Sequence, residues 1–168
     1  MKVVVLTGGL GTRLAEETSV RPKPMVEIGG RPILWHIMKH YARYGFRNFY
    51  VALGYKGSVI KRFFVDDVRL SGDLVVSSAR RSVEAVHAPG DDWTVHLCET
   101  GGETATGGRV KRLSPALSGG TFMVTYGDGV SNVPLDRLLA FHRSQGKLAT
   151  LTAVRPPARY GGIVFDGD

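Results

Sequence analysis

Residues 4 to 30, VVLTGGLGTRLAEETSVRPKPMVEIGG, place five glycines, two arginines and a lysine directly behind an apolar run. Glycines let backbone N–H groups approach an anion closely, and neighbouring N–H dipoles form a concave nest for it. Arg13 then supplies charge as a planar fork and Lys23 as a point. Two readings stand at this stage: a loop that holds phosphate, or a tight glycine turn flanked by surface cations. Gly9-Leu10-Gly11 opens like a dinucleotide fingerprint, but Leu14 occupies the third glycine position. The stretch GETATGGR, Gly102 to Arg109, imitates a Walker loop in its spacing. Gly108 stands there where the lysine must be, and Arg109 where Ser or Thr must be. Neither a hydride carrier nor a P-loop ATPase is supported.

A second stretch, TYGDG at residues 125 to 129, follows an apolar run. Asp128 is therefore expected at a strand's carboxyl end, where open α/β sheets place their ligands. One carboxylate between glycines suits magnesium, which keeps most of its waters and borrows oxygens from substrate phosphates. By itself the same stretch reads as an ordinary Asp-Gly turn. A phosphate loop at the same sheet edge favours the metal. Other chemically able residues read as structural. His36 and His40 have ligand spacing on a helix but no third ligand near them. His142, the pairs Asp66-Asp67 and Asp91-Asp92, and the cations Arg80, Arg81, Lys111 and Arg112 read as solvated or element-end charges. Cys98 reads as a buried strand residue.

The elements that must position these residues alternate. Lys2 to Thr7 reads as a buried strand, and 32 to 44 as a helix with Pro32 at its first position and Gly45 just past its end. Ile33, Ile37, Met38, Tyr41 and Tyr44 form the apolar stripe of that helix. NFYVAL, DLVVSS, TVHLCE and TFMVTY read as strands, with the polar loop ARRSVEAVHAPGDDW between the second and third. Helices are expected at 58 to 64, at 109 to 117 and in PLDRLLAFHRS, and LATLTAV as a closing buried strand. This alternation predicts an α/β, Rossmann-like three-layer fold with a mostly parallel, mixed central sheet. The tail YGGIVFDGD looks like a strand entering a turn at Asp166-Gly167, either cut short or frayed.

Size and composition set the outer limits. The 168 residues fit one domain, residues 1 to 168, with 43% hydrophobic and 22% charged residues. A single cysteine permits no internal disulfide and suits a reducing, cytoplasmic setting. The N-terminal VVVL is too short for a signal segment or a membrane span. The net charge of +7 is scattered, with no dense basic run. That distribution favours phosphate-bearing small molecules over nucleic acid.

GGLGTRL followed by RPKPMVEIGGRPILWHIM resembles the sugar-phosphate nucleotidyltransferases. The segments EETSVRPKPMVEIGG, GYKG, TGGETATGGRVKR, TYGDG and FHRSQGKLATLTAVRPPARYG run in family order from residue 1 to about 161. GYKG, TGGETATGGRVKR and TYGDG together point to the cytidylyl branch. The resemblance implies that Leu6, Thr7, Gly8, Gly9, Leu10, Gly11, Thr12, Arg13 and Lys23 meet the nucleotide phosphates. Arg13 and Lys23 would be the catalytic charges. Thr104 and Arg109 would lie at the nucleotide, and Asp128 on the base-ribose side and on Mg2+. The implied reaction joins CTP and α-D-glucose 1-phosphate into CDP-glucose and pyrophosphate, for deoxysugar and surface-polysaccharide precursors. A homo-oligomer without membrane or nucleic-acid partners is implied as well.

Thr7 stands where the family usually has alanine, and Glu99 where aspartate is typical. The family's later E-K-P segment, its N-G-G-F-like sugar strand and its second metal-binding aspartate are not found. The resemblance therefore covers the nucleotide-binding part, and the sugar-binding part is expected to be missing. A chain with this content is expected to bind CTP and to turn over poorly. The alternatives are a catalytically incomplete nucleotide-binding or regulatory module of the same superfamily, and a related nucleotidyltransferase that uses another base.

Overall fold

A computed structural model of the chain describes residues 1 to 9, 21 to 86 and 90 to 154. Two compact units, Met1–Asn132 and Val133–Asp168, make up the chain. The first unit opens with β1 (Lys2–Leu6), a 3₁₀ turn (Lys23–Met25), β2 (Glu27–Ile28), β3 (Arg31–Pro32), α1 (Ile33–Arg43) and β4 (Asn48–Leu53). It continues with α2 (Gly57–Leu70), β5 (Asp73–Ser77), β6 (Ser82–Val86), β7 (Thr94–Glu99), α3 (Thr106–Arg112), α4 (Ser114–Leu117) and β8 (Phe122–Tyr126).

β1 and β4 are near-continuous apolar runs because both of their faces are covered. Val3, Val4, Val5, Phe49, Val51 and Leu53 are fully buried. All pairings in the main sheet are parallel, in the order β7-β4-β1-β8, with Val5 opposite Val51 on one side and Thr125 on the other. One face carries Val4, Leu6, Tyr50 and Ala52 against Leu113 and Leu117 of the α3–α4 segment. On the other, Tyr41 of α1 hydrogen-bonds Thr125, and Leu53 lies against Gly57 at the start of α2. Helices on both faces complete the expected three layers.

The chain moves outward from β1 to β4 to β7 and then returns to β1's other side with β8. β1 and β8 are thus sheet neighbours far apart in the chain, and the parallel pairing puts the loops that follow them at the same sheet edge. The antiparallel pairs are small and separate. β2 and β3 form a hairpin across Gly29 and Gly30, whose φ values of 58° and 77° give the two-residue turn its left-handed backbone.

Several elements differ from expectation. α1 begins at Ile33, with Pro32 as its N-cap, and its buried stripe is Leu34, Ile37, Met38, Tyr41 and Ala42. Ile33 and Tyr44 are only half-buried. α2 extends to Leu70, well beyond the expected 64, so Asp66 and Asp67 lie within it. Part of the polar loop after β5 is a strand, β6, that returns antiparallel to β5. The expected helix at 109 to 117 starts earlier and divides into α3 and α4.

In the second unit α5 (Leu135–Gln145) ends at Gly146, whose φ of 57° caps it, as its sequence predicts. His142 Nδ1 is hydrogen-bonded to Thr150 Oγ1 at 2.9 Å. LATLTAV does not form the expected strand: residues 148 to 154 are irregular, with Leu148, Leu151 and Val154 exposed. An apolar run is a strand only where a neighbour accepts its backbone hydrogen bonds. The tail from residue 155 lies outside the described residues.

Candidate functional site

The carboxyl ends of the four parallel strands are tied together beyond the strands themselves. Thr7 N–H donates to Ala52 O at 3.2 Å, and Thr100 N–H to Leu53 O at 3.0 Å. Gly127 N–H donates to Leu6 O at 3.0 Å, which brings the Tyr126–Asp128 loop against the end of β1. Only glycine fits at position 127. A Cβ there would meet Thr7 Cγ2 at 2.8 Å and Leu6 O at 3.2 Å. Pro24 lies against the same glycine, so the 3₁₀ turn carries Lys23 to this edge.

A cavity of about 380 Å³ opens where these loops meet. Leu6, Thr7, Gly8 and Gly9 form one wall, Lys23, Pro24, Tyr126 and Asp128 a second, and Gly102 to Thr106 with Arg109 the third. Eight expected site residues thus share one cavity: Leu6, Thr7, Gly8, Gly9, Lys23, Thr104, Arg109 and Asp128. Leu10, Gly11, Thr12 and Arg13 lie outside the described residues. Gly102, Glu103, Ala105 and Thr106 belong to TGGETATGGR, a stretch whose small hydroxyl residues and arginine suit the lining of a base pocket, whereas Pro24 and Tyr126 were not singled out from the sequence. The signal for Tyr126 and Glu103 was their place inside TYGDG and GGETATGG, next to residues that were named.

Thr7 is nearly fully buried and its hydroxyl donates to Ala52 O at 2.9 Å. The hydroxyl that departs from the family pattern is thus absorbed by the strand end. Glu99, the other departure, forms an ion pair with Lys61 at 2.5 Å.

Arg109 is 5% exposed. Its Nη1 donates to Leu53 O at 3.0 Å, Thr100 Oγ1 at 2.7 Å and Gly101 O at 2.8 Å. Its Nη2 donates to Gly8 O at 2.9 Å and Gly102 O at 3.0 Å. Burial and the neighbouring Arg112 cation lower its pKa. Among the described residues no carboxylate pairs with it. Neutral acceptors therefore offset the desolvation of this charge, and they come from the end of β4 and from the loops after β1 and β7.

Asp128 and Glu103 are exposed carboxylates on separate walls of the cavity. No cluster of three metal-binding side chains occurs among the described residues. A single exposed carboxylate at the rim of a cavity is the protein share that Mg2+ takes when water and a ligand's phosphate supply the rest. The His36 ring is hydrogen-bonded to Ile28 O at 2.8 Å, and His40 packs edge-on against Tyr41 and Tyr44. Asp91 accepts from Trp35 Nε1 and pairs with Lys39, and Asp92 pairs with Arg47. Cys98 is half-buried in β7, where burial pushes its thiol pKa up. Among the described residues no helix is long and apolar enough to cross a membrane.

The nucleotidyl transferase family pattern matches residues 2–168. Glucose-1-phosphate cytidylyltransferase of Salmonella typhimurium (strain LT2) is 48% identical over 164 residues, which cover 97% of this chain and 64% of that protein. HddC from Yersinia pseudotuberculosis, solved with GMP-PN, superposes with a TM-score of 0.61 at 25% identity over 84% of this chain and 53% of its own. UDP-glucose pyrophosphorylase, solved with UDP-glucose, gives a TM-score of 0.59 at 13% identity over 86% of this chain and 54% of its own, a likeness of fold.

Proposed function

This chain belongs to the nucleotidyl transferase family, and from that premise we propose that it binds CTP in the cavity between β1 and β8 for transfer of a cytidylyl group to α-D-glucose 1-phosphate. The observation that carries the reading is the meeting of the Gly8-Gly9 loop, Lys23 and Asp128 at the carboxyl ends of β1 and β8. The choice of CTP rests on the Salmonella relative, of which this chain spans 64%.

In the proposed reaction the phosphate oxygen of glucose 1-phosphate attacks the α-phosphorus of CTP in line with departing pyrophosphate. The nucleophile is already an anion at neutral pH, so no general base is needed. The barrier lies in bringing two anions together and in stabilising charge on the leaving group. Lys23 would lie near the α-phosphate, and Arg13 would grip the pyrophosphate portion through its fork. The Gly8-Gly9 backbone would supply N–H donors to the same phosphates. Asp128 would hold Mg2+, which supplies charge neutralisation and orientation of phosphate oxygens when bound. Thr104 and its neighbours in TGGETATGGR would line the base, where unpaired polar groups penalise the wrong one. Assembly as a cytoplasmic homo-oligomer belongs to the same proposal.

Calorimetric titration of the chain with CTP, UTP, ATP and GTP tests the binding step. CTP is expected to bind tightest, with UTP tolerated and purines rejected. Equal affinity for purine triphosphates would remove the cytidylyl assignment and leave the family. Pyrophosphate release from CTP and glucose 1-phosphate tests the chemistry, against the Salmonella enzyme as control. CTP binding without release would favour the nucleotide-binding module.

A further inference from the structure

Glu103 lines the cavity as an exposed carboxylate and makes no hydrogen bond or ion pair with another described residue. The loop that carries it is nevertheless held on both sides. Before it, Arg109 Nη1 donates to Gly101 O at 2.8 Å and Nη2 to Gly102 O at 3.0 Å, while Arg112 donates to Thr100 O. After it, Thr104 is wedged between two glycines. A Cβ on Gly101 would lie 2.8 Å from Thr104 Oγ1, and one on Gly108 would lie 2.8 Å from Thr104 Cγ2. An unpartnered carboxylate thus stands on a fixed loop at the cavity wall.

Its wall suits the base and not the phosphates. Lys23 and Asp128 stand with Gly8 and Gly9 on the other two walls. A carboxylate turned to a triphosphate would be repelled by it, whereas a base carries no net charge. The side chains of the third wall differ in what they offer. Arg109 only donates, the Thr104 and Thr106 hydroxyls donate or accept, and the Glu103 carboxylate accepts. Cytosine presents an amino group at the ring position where uracil presents a carbonyl oxygen. The N3–H of uracil lies between two carbonyls, so a carboxylate that meets it meets those oxygens as well. An acceptor on this wall therefore favours cytosine over uracil.

We propose that Glu103 separates CTP from UTP: its carboxylate accepts a hydrogen bond from the exocyclic amino group of cytosine, where uracil would oppose it with a carbonyl oxygen. The inference rests on the nucleotide reading above and deepens it by naming the side chain that sorts the two pyrimidines. Adenine also carries an amino group, so Glu103 does not by itself exclude purines.

The test is calorimetric titration of the full chain and of Glu103→Gln with CTP and UTP, each with Mg2+. Glu103 is exposed, and the substitution keeps its shape, so the variant is expected to fold as the unaltered chain does. The unaltered chain is expected to prefer CTP by about tenfold, the scale of one charge-assisted hydrogen bond at an exposed rim. A glutamine amide either donates or accepts, so the preference of the variant is expected to fall to within about threefold. Removing a negative charge also helps any triphosphate, but both ligands carry the same one, so that effect cancels in the ratio. A ratio unchanged by Glu103→Gln would overturn the proposal. Equal losses for CTP and UTP would place Glu103 at the ribose or the metal and overturn it too. An unaltered chain that binds CTP and UTP alike removes this inference and leaves the nucleotide cavity standing. No binding of either ligand removes the nucleotide reading and this inference with it.

Discussion

Across 101 residues of chain, Arg109 Nη2 donates to the Gly8 carbonyl at 2.9 Å, and the guanidinium fills the space a side chain at position 8 would need. Neither partner has room to move, because Arg109 is simultaneously held by the last residue of β4 and by the loop after β7. Gly8→Ala is therefore expected to destabilise the fold by about 1–3 kcal/mol, the usual range for overpacking. Gly9→Ala places its methyl in open space and is expected to stay within about 0.5 kcal/mol of the unaltered chain. Urea unfolding of the two variants measures the contrast. Similar losses at both positions would mean that the Arg109 contact does not constrain the loop.

Asp128→Asn examines the metal. The side chain is exposed, so the variant is expected to fold with a stability change within about 0.5 kcal/mol. CTP affinity with Mg2+ is expected to fall by about tenfold. Without Mg2+ the unaltered chain and the variant should bind alike. A CTP affinity in the unaltered chain that ignores Mg2+ would remove the metal role from Asp128.

How far the sequence discloses this arrangement depends on where each signal is local. β1 and β4 are legible because strands covered on both faces are written as unbroken apolar runs, as in VVVL and NFYVAL. Lys23, Gly8 and Asp128 are legible because glycines and charges at strand ends leave a short-range mark. β6 is not, since Val83 is exposed and Glu84 and its neighbours show no buried face. LATLTAV misleads in the opposite sense: its composition fits a strand, but pairing depends on a partner the run itself does not specify. Arg109 shows the limit most clearly. Its residue type suggests a ligand contact, whereas its acceptors come from positions 8, 53, 100, 101 and 102, which no local window joins.

Tyr41 gives the fold an alkaline sensitivity. Burial raises its pKa above the ordinary value of 10.0, and the hydrogen bond to Thr125 only partly offsets this. The folded chain therefore keeps the phenolic proton to higher pH than the unfolded chain. Tyr41's contribution is fully present below pH 10 and is lost as the pH rises through its folded pKa. Tyr41→Phe is expected to cost about 1 kcal/mol at neutral pH through the lost hydrogen bond. Above pH 10 its Tm should fall less steeply than that of the unaltered chain, so the two curves converge. Parallel curves would show that Tyr41 does not titrate with unfolding.

Lys23 tests whether the cavity addresses phosphate or nucleoside. It is half-buried in the 3₁₀ turn, whose Val26 N–H closes back on Lys23 O at 3.0 Å, and Pro24 beside it rests on Gly127. The turn is thus anchored independently of the ammonium group, and truncating the side chain should leave the backbone in place. Lys23→Ala is expected to weaken CTP binding by about tenfold to a hundredfold, the scale of one charge-assisted hydrogen bond to a phosphate oxygen. Cytidine, which carries no phosphate, should bind the variant and the unaltered chain alike, with CMP between the two. Lys23→Arg keeps the charge on a different head and is expected to recover part of the loss. Calorimetry with the three ligands reads the series directly. A loss for cytidine as large as that for CTP would place Lys23 at the nucleoside and leave the triphosphate to the Gly8-Gly9 loop and Arg13.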